Sequence, residues 1–358
     1  RARLAGRLRD RARGPSAAED WRRWAMKTRN LALDMLRIVM TLFVIGIHVD
    51  GAVDMSSQPE ELYAQVWLNE VFHMAVPVFL MIGGIRMEPL VDQPLGRFYG
   101  RRITRLMIPF LPIALFFMLI RVFRDGEPVR HVLTEALKGM PYYHLWYVPM
   151  LICMVVFMPL CVRVVRELHW TIVLLAIVAI ILWVPGSTME GGGMWFVIPN
   201  VSFVMIGLLA KKYAVKLRPS HGVILVLLGL ALFNYNGYCG AAHKICLMPG
   251  FLRWHLPAGL IVMGVLPLSS MGSGRRSNFI AMVSSLTYGV YLVHPIFKGV
   301  ARPLSMAIQD PMTMGMIQFA VTAVSAFGAV WLVSRTKVGA ILTGVGRIGH
   351  GDGGRRNV

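Results

Sequence analysis

Apolar runs long enough to cross a membrane recur along this chain, and they restrict its fold more than any single motif does. A helix needs about 17 to 25 mostly apolar residues to cross a hydrocarbon core. Runs near that length occupy residues 31–49, 67–86, 106–123, 145–162, 171–185, 194–210, 222–238, 254–271, 279–297 and 314–334. The fifth is short, and several others are broken by glycine or proline. With 56% hydrophobic and 15% charged residues and a mean hydropathy of +0.59 over 358 residues, the composition departs from that of a soluble domain. The reading is an all-α polytopic membrane bundle of ten transmembrane helices.

The formal net charge of +19 would suggest nucleic acid in a soluble protein, but here topology accounts for most of it. With a cytoplasmic N-terminus, 28 of the 37 Lys and Arg fall in inner segments, eight in outer loops and one, Arg37, inside a span. That skew places both termini on the cytoplasmic side. Residues 1–29 form an arginine-rich arm without the apolar core and cleavage site of a signal peptide. The arm is read as lying against anionic headgroups, with nucleic-acid binding the minor alternative. Residues 30–335 make the membrane domain, and 336–358 a cytoplasmic tail whose end, GRIGHGDGGRRNV, is expected to be disordered.

Of the four cysteines, Cys153 and Cys161 fall in the fourth run, while Cys239 and Cys246 fall in the expected outer loop NYNGYCGAAHKICLMPG. An oxidising outer compartment allows a Cys239–Cys246 disulfide, the alternative being two free buried thiols. No paired CxxC or HExxH spacing points to a metal, and GSGRRS at 272–277 lacks the lysine and length of a phosphate-binding loop.

Polar residues inside the apolar runs carry the functional signal, because each is costly in lipid unless it faces the bundle interior or water. In NLALDMLRIVMTLFVIGIHV at 30–49, Arg37 and His48 are eleven residues apart. On an α-helix that separation is about 20° around the axis and roughly 16 Å along it. Asp34 lies within about 60° of Arg37, so all three share a side, and the i, i+3 spacing lets Asp34 and Arg37 pair. Similar stripes appear elsewhere: Glu70, His73 and Pro77 in the second run, His144, Trp146 and Tyr147 opening the fourth, and Thr287, Tyr291 and His294 in the ninth. One topology puts His48, His73, His144 and His294 at a similar depth on the outer side. Histidine is the side chain best suited to take a proton from a hydroxyl near neutral pH. The tyrosines and tryptophan around His144 also fit an aromatic belt. On the inner side, Arg97, Arg101 and Arg105 recur every four residues, with Arg102 on the adjacent face. Arginine's forked donors match phosphate oxygens, although a positive-inside anchor reads the same way.

Five motifs follow in order: Arg37-x10-His48 preceded by LDMLR at 33–37, FHMAVPVFLMIGG at 72–84, Arg102-x-x-Arg105, HLWYVPML at 144–151 and SLTYGVYLVHP at 285–295. In this order they resemble the acyltransferase 3 family of integral membrane acyltransferases, over roughly 30–335. The chain departs from the family at Gly83, where many members carry serine before the following glycine. The resemblance implies transfer of an acyl group, often acetyl from acetyl-CoA, onto a hydroxyl of an envelope sugar or glycan at the inner, cytoplasmic membrane. It implies His48 as general base, with Arg37, beside Asp34, positioning the donor or balancing charge. Arg101, Arg102 and Arg105 would hold CoA phosphates. Glu70, His73, His144, Trp146, Tyr291 and His294 are the candidates for acceptor binding or proton handling. Acyl-CoA, a hydroxyl acceptor and the lipid bilayer are then the partners, with no nucleic acid and no metal. A transporter of a small polar or glycan substrate is the alternative, since it too places polar residues on span interiors.

Overall fold

The computed structural model describes residues 30–49, 63–170, 172–174, 177, 194–214, 216–241, 252–271, 275–305 and 311–345, and all regular structure among them is helical. The basic arm, the end of the C-terminal tail, Cys246 and most of the fifth apolar run lie outside these residues.

Twelve α-helices are described: α1 Leu31–His48, α2 Tyr63–Phe72, α3 Ala75–Met87, α4 Leu95–Phe123, α5 Val129–Leu137, α6 Tyr147–Glu167, α7 Met194–Ala214, α8 Pro219–Ala241, α9 Leu252–Val265, α10 Arg275–Ser305, α11 Pro311–Val333 and α12 Lys337–Leu342. Among the described residues, seven helical stretches are long and apolar enough to cross a membrane: Leu31–His48, Trp67–Leu90, Leu95–Phe123, Tyr147–Glu167, Pro219–Cys239, Ser277–Pro303 and Met312–Val333. The second of these joins α2 to α3 through a turn at 73–74. The expected eighth run is a shorter apolar helix, continued by a 3-10 segment at Leu266–Met271. Helix starts follow local chemistry. Asn30 caps α1, its Oδ1 accepting from Leu33 N at 2.9 Å, which satisfies a first-turn N–H that has no partner within the helix.

Helix α1 runs through the bundle and touches α2, α3, α9, α10 and α11. Helices α8 and α9 pair as a hairpin, as do α10 and α11, while α3 lies along α7. The central core is rich in methionine, with Met40, Met81, Met154 and Met158 all buried; an unbranched thioether fills irregular gaps between crossing helices. The bundle's outer surface is equally apolar: Leu111, Leu115, Leu227 and Val324 are all more than half exposed, as a lipid-facing surface requires.

Close helix crossings depend on missing side chains. A Cβ built at Gly207 of α7 would lie 2.5 Å from the Met81 carbonyl oxygen and 2.7 Å from its Cα. Backbone cannot yield as a side-chain tip can, so Gly207→Ala should force α3 and α7 apart. The expected loss is about 2 to 3 kcal/mol, read as a lower melting temperature in detergent. Gly83 differs, because a Cβ there meets only Met87 Cε at 3.7 Å; the site has room for the serine found in the resembling family.

One end of α3, α6 and α7 is tied by ion pairs. Arg166 donates from Nε to Glu88 at 2.9 Å and from Nη1 to Asp92 at 2.6 Å, and Lys211 reaches Glu88 at 2.7 Å. Hydrogen bonding from Arg166 holds the Asp92 carboxyl below its usual range. Some of the basic residues in the charge skew are therefore structural partners. Cys239 is a free, buried thiol at the end of α8; Cys246, the other half of the possible disulfide, lies outside the described residues. The Cys239 side chain is turned into the bundle, 3% exposed, rather than out toward a loop.

Candidate active site

Three of the four expected histidines converge. His48 ends α1, His144 precedes α6 and His294 lies in α10. Ring centroids are 5.1 Å apart for His48 and His294, 5.2 Å for His144 and His294, and 6.2 Å for His48 and His144. Tyr143, read from sequence only as part of an aromatic belt, stands 5.2 Å from the His48 ring. Tyr291 packs beside the group, its hydroxyl donating to the His144 carbonyl.

Carbonyl partners decide which ring nitrogens carry protons, because a carbonyl can only accept. Pro295 sits inside α10 and has no N–H, so it leaves the Tyr291 carbonyl, one turn back, without its usual donor. His294 Nδ1 takes that place and donates to Tyr291 O at 2.8 Å. His48 Nδ1 likewise donates to Val44 O at 2.8 Å. In neutral His294 the remaining Nε2 is an acceptor, and it lies 3.3 Å from His48 Nδ1. In His48 the lone pair is then left on Nε2. His144 is held the other way round, with Nε2 donating to Leu292 O at 3.2 Å; its Nδ1 lone pair is buried and has no hydrogen-bond partner. The cluster thus offers two basic nitrogens, His48 Nε2 and His144 Nδ1, among aromatic rings.

Toward the other end of α1 the polar residues pair differently from expectation. Asp34 is fully buried and binds Arg86 of α3, not Arg37. Arg37 instead donates to Thr287 Oγ1 at 2.9 Å and Ser284 Oγ at 3.4 Å, both on α10. The Ser284 hydroxyl donates onward to Asp34 Oδ1 at 2.8 Å. The two α1 residues are thus bridged through a neighbouring helix. Among the described residues, one carboxylate stands between two guanidiniums, so this interior carries excess positive charge. Arg101, Arg102 and Arg105 make no ion pair among the described residues, unlike Arg166 and Lys211.

His73 stands apart from the other three. It lies in the turn between α2 and α3, donates from Nδ1 to Asn69 O at 2.7 Å, and its ring is 6.4 Å from Trp254 on α9. Glu70 pairs with Arg253 at 2.7 Å. Trp146 packs into the central core, 6.1 Å from Tyr147. Sequence reasoning did not single out Arg86, Ser284, Tyr143, Asn236 or Arg253. The available signal was a charge closing the second apolar run for Arg86, and a polar residue within apolar helix for Asn236. Among the described residues, no group of three or more His, Cys, Asp or Glu is placed to hold a metal ion.

In comparison with known proteins, the sequence model of one family, described as an acyltransferase domain, matches residues 30–335. No match was found among curated proteins or among solved structures.

Proposed function

Because this chain belongs to the acyltransferase 3 family, a family of membrane acyltransferases, we propose that it transfers an acetyl group from acetyl-CoA to a hydroxyl of an envelope sugar or glycan. The observation that carries this reading is the α1 axis. A basic imidazole nitrogen lies at one end and unbalanced arginine charge at the other, about 16 Å apart along the helix. Arg102 and Arg105 would bind the CoA phosphates, with Arg101 at the exposed edge. The thioester would then extend past Arg37 toward His48.

In this mechanism His48 Nε2 takes the proton from the acceptor O–H as the oxygen attacks the thioester carbonyl. The C–S bond breaks, the acyl group passes to oxygen, and the proton on His48 goes to the departing thiolate to give CoA–SH. Such general-base assistance is worth roughly 10²- to 10⁴-fold. His294 Nε2 faces His48 Nδ1–H and steadies the imidazolium orientation. Under this reading the bundle has ten spans, both termini are cytoplasmic, and the protein resides in the inner membrane with the histidine end outward.

The test is mass spectrometry of envelope glycans from cells with and without the chain. Gain of an acetyl mass supports the proposal, and no acylated species under any growth condition refutes it. On the donor side, Arg102→Ala with Arg105→Ala should raise KM for acetyl-CoA at least about tenfold, as expected for two lost charge-assisted bonds. Turnover at saturating donor should change much less.

A further inference from the structure

The lipid-facing side of α4 does not stop where that helix ends. Leu111, Leu115, Leu119 and Phe123 recur every four residues along one side of this apolar span, all exposed, and Phe123, its last residue, is 82% exposed. After a short turn α5 takes up the same pattern. Val129, Leu133 and Leu137 again stand four apart and are each half exposed or more, Leu137 reaching 90%, while Val132 packs inward at 1%. On a helix these three cover about 80° of the circumference, with Arg130 about 20° beyond Leu137 and His131 on the far side. A short helix whose exposed side met water would carry polar residues there instead.

One side chain sets the level of this helix. Arg121, in the last turn of α4, donates from Nε and Nη2 to the two carboxylate oxygens of Glu127 at 2.8 and 2.6 Å, and from Nη1 to the Pro141 carbonyl at 3.3 Å. Glu127 precedes α5 and Pro141 follows it, so both ends of the segment return to a single guanidinium at the end of a membrane span. Tyr142, next along, stacks on Phe117 one turn deeper in α4, with ring centroids 4.4 Å apart. The returns are built on glycines in the left-handed region, Gly126 at φ 70° and Gly139 at φ 89°; the second ends α5, with Met140 N–H donating to Glu135 O at 2.9 Å. A helix of this length is about 13 Å long, and its tethers hold it where α4 leaves the hydrocarbon. Glu127 is taken by Arg121 and Glu135 by Lys138 at 2.9 Å. Arg124 and Arg130 make no ion pair among the described residues.

We infer that α5 lies in the plane of the membrane at the histidine end of the bundle, with Val129, Leu133 and Leu137 set among the outermost acyl-chain carbons and Arg130 reaching phospholipid phosphates. The occupant of the apolar stripe is phospholipid, because the stripe continues the lipid-facing side of the span to which α5 is tied, and a long basic side chain at its edge matches the headgroup level. The segment from Pro141 to His144 hangs from the same Arg121, so the bilayer surface supports the part of the chain that carries Tyr143 and His144 to His48. The inference concerns the seating of α5 and holds whatever group the histidines transfer.

The test places single tryptophans on α5 of the full-length protein: Leu133→Trp and Leu137→Trp on the stripe, and His131→Trp opposite it. Each variant is reconstituted in phosphatidylcholine nanodiscs whose acyl chains are either plain or brominated near the headgroup end, and its fluorescence above wild type is measured. A helix in the membrane plane seats its apolar face roughly 5 to 10 Å into the boundary, so both stripe variants should lose about half or more of that added fluorescence to bromine. Acrylamide in the water should quench them little, and His131→Trp should respond in the opposite way. Val129→Trp replaces either stripe variant if it does not elute as wild type on gel filtration. Stronger bromine quenching at both stripe positions than at His131→Trp supports the inference. Quenching of the stripe by acrylamide alone puts that face in water and overturns it. Quenching of the stripe by neither agent means that a second copy or another protein covers the face, and equal bromine quenching at all three positions means that α5 is not seated by its stripe; either result also overturns it.

Discussion

Replacing His48 with alanine should reduce acyl transfer by about 10³- to 10⁴-fold while the protein still inserts and purifies as wild type. The magnitude is the upper range for loss of a positioned general base. It applies here because the other basic nitrogen of the cluster, His144 Nδ1, is buried and held in place by the bond from His144 Nε2 to Leu292 O. It cannot swing into the position that His48 Nε2 leaves. His48→Gln is the sharper variant, since its amide can keep the contact with Val44 O but has no basic nitrogen. Both variants should lose the rate of the chemical step with donor KM little changed. The measurement is single-turnover transfer from radiolabelled acetyl-CoA in nanodiscs, and near-normal rates in either variant would remove His48 from its role.

Breaking the Asp34–Arg86 pair should have the largest effect on stability. Asp34 is 0% exposed and Arg86 is 36% exposed in the pair, so Asp34→Leu strands a partly buried guanidinium beside Arg37. Removing one partner of a buried pair costs about 3 to 5 kcal/mol; the partial exposure of Arg86 places the expected loss near the lower figure. Removing both charges should be milder, because Arg86 is then no longer stranded, while Arg37 keeps its bonds to Thr287 and Ser284 but loses the nearby carboxylate. Thermal unfolding of Asp34→Leu, Arg86→Leu and the double variant in detergent therefore forms a cycle. The expected result is that the double variant is more stable than Asp34→Leu. If it were less stable than either single variant, the pair would not be the feature that organises this interface.

These two residues also mark where sequence reading succeeds and where it stops. His48 was legible as an inward-facing residue because eleven residues on a helix return to nearly the same face, and because an imidazole in an apolar run needs an interior reason. Asp34 was legible as buried, but its partner was not. Spacing offered Arg37 at i+3, whereas the bundle brings Arg86 from α3 and Ser284 from α10. The same limit separates His73 from the other histidines. Its expected depth matched theirs, but the turn at 73–74 leaves it against Trp254 of α9, while His144 and His294 meet His48. Pro295 was visible as part of a motif. Its effect on the proton of His294 appears only once the Tyr291 carbonyl is seen taking that donor.

The sequence by itself determined that the chain is a helical membrane bundle, where most of its helices run, and which face of α1 is polar. Those properties are local, set by hydropathy over a helix length and by the angle between residues on one axis. Only the tertiary structure decided which helices stand opposite that face. It chose the partners of Asp34 and Arg37 and assembled three of the four histidines. Periodicity orients a residue about its own helix axis; which neighbour it meets depends on crossings such as Gly207 against Met81, made between segments far apart in the chain.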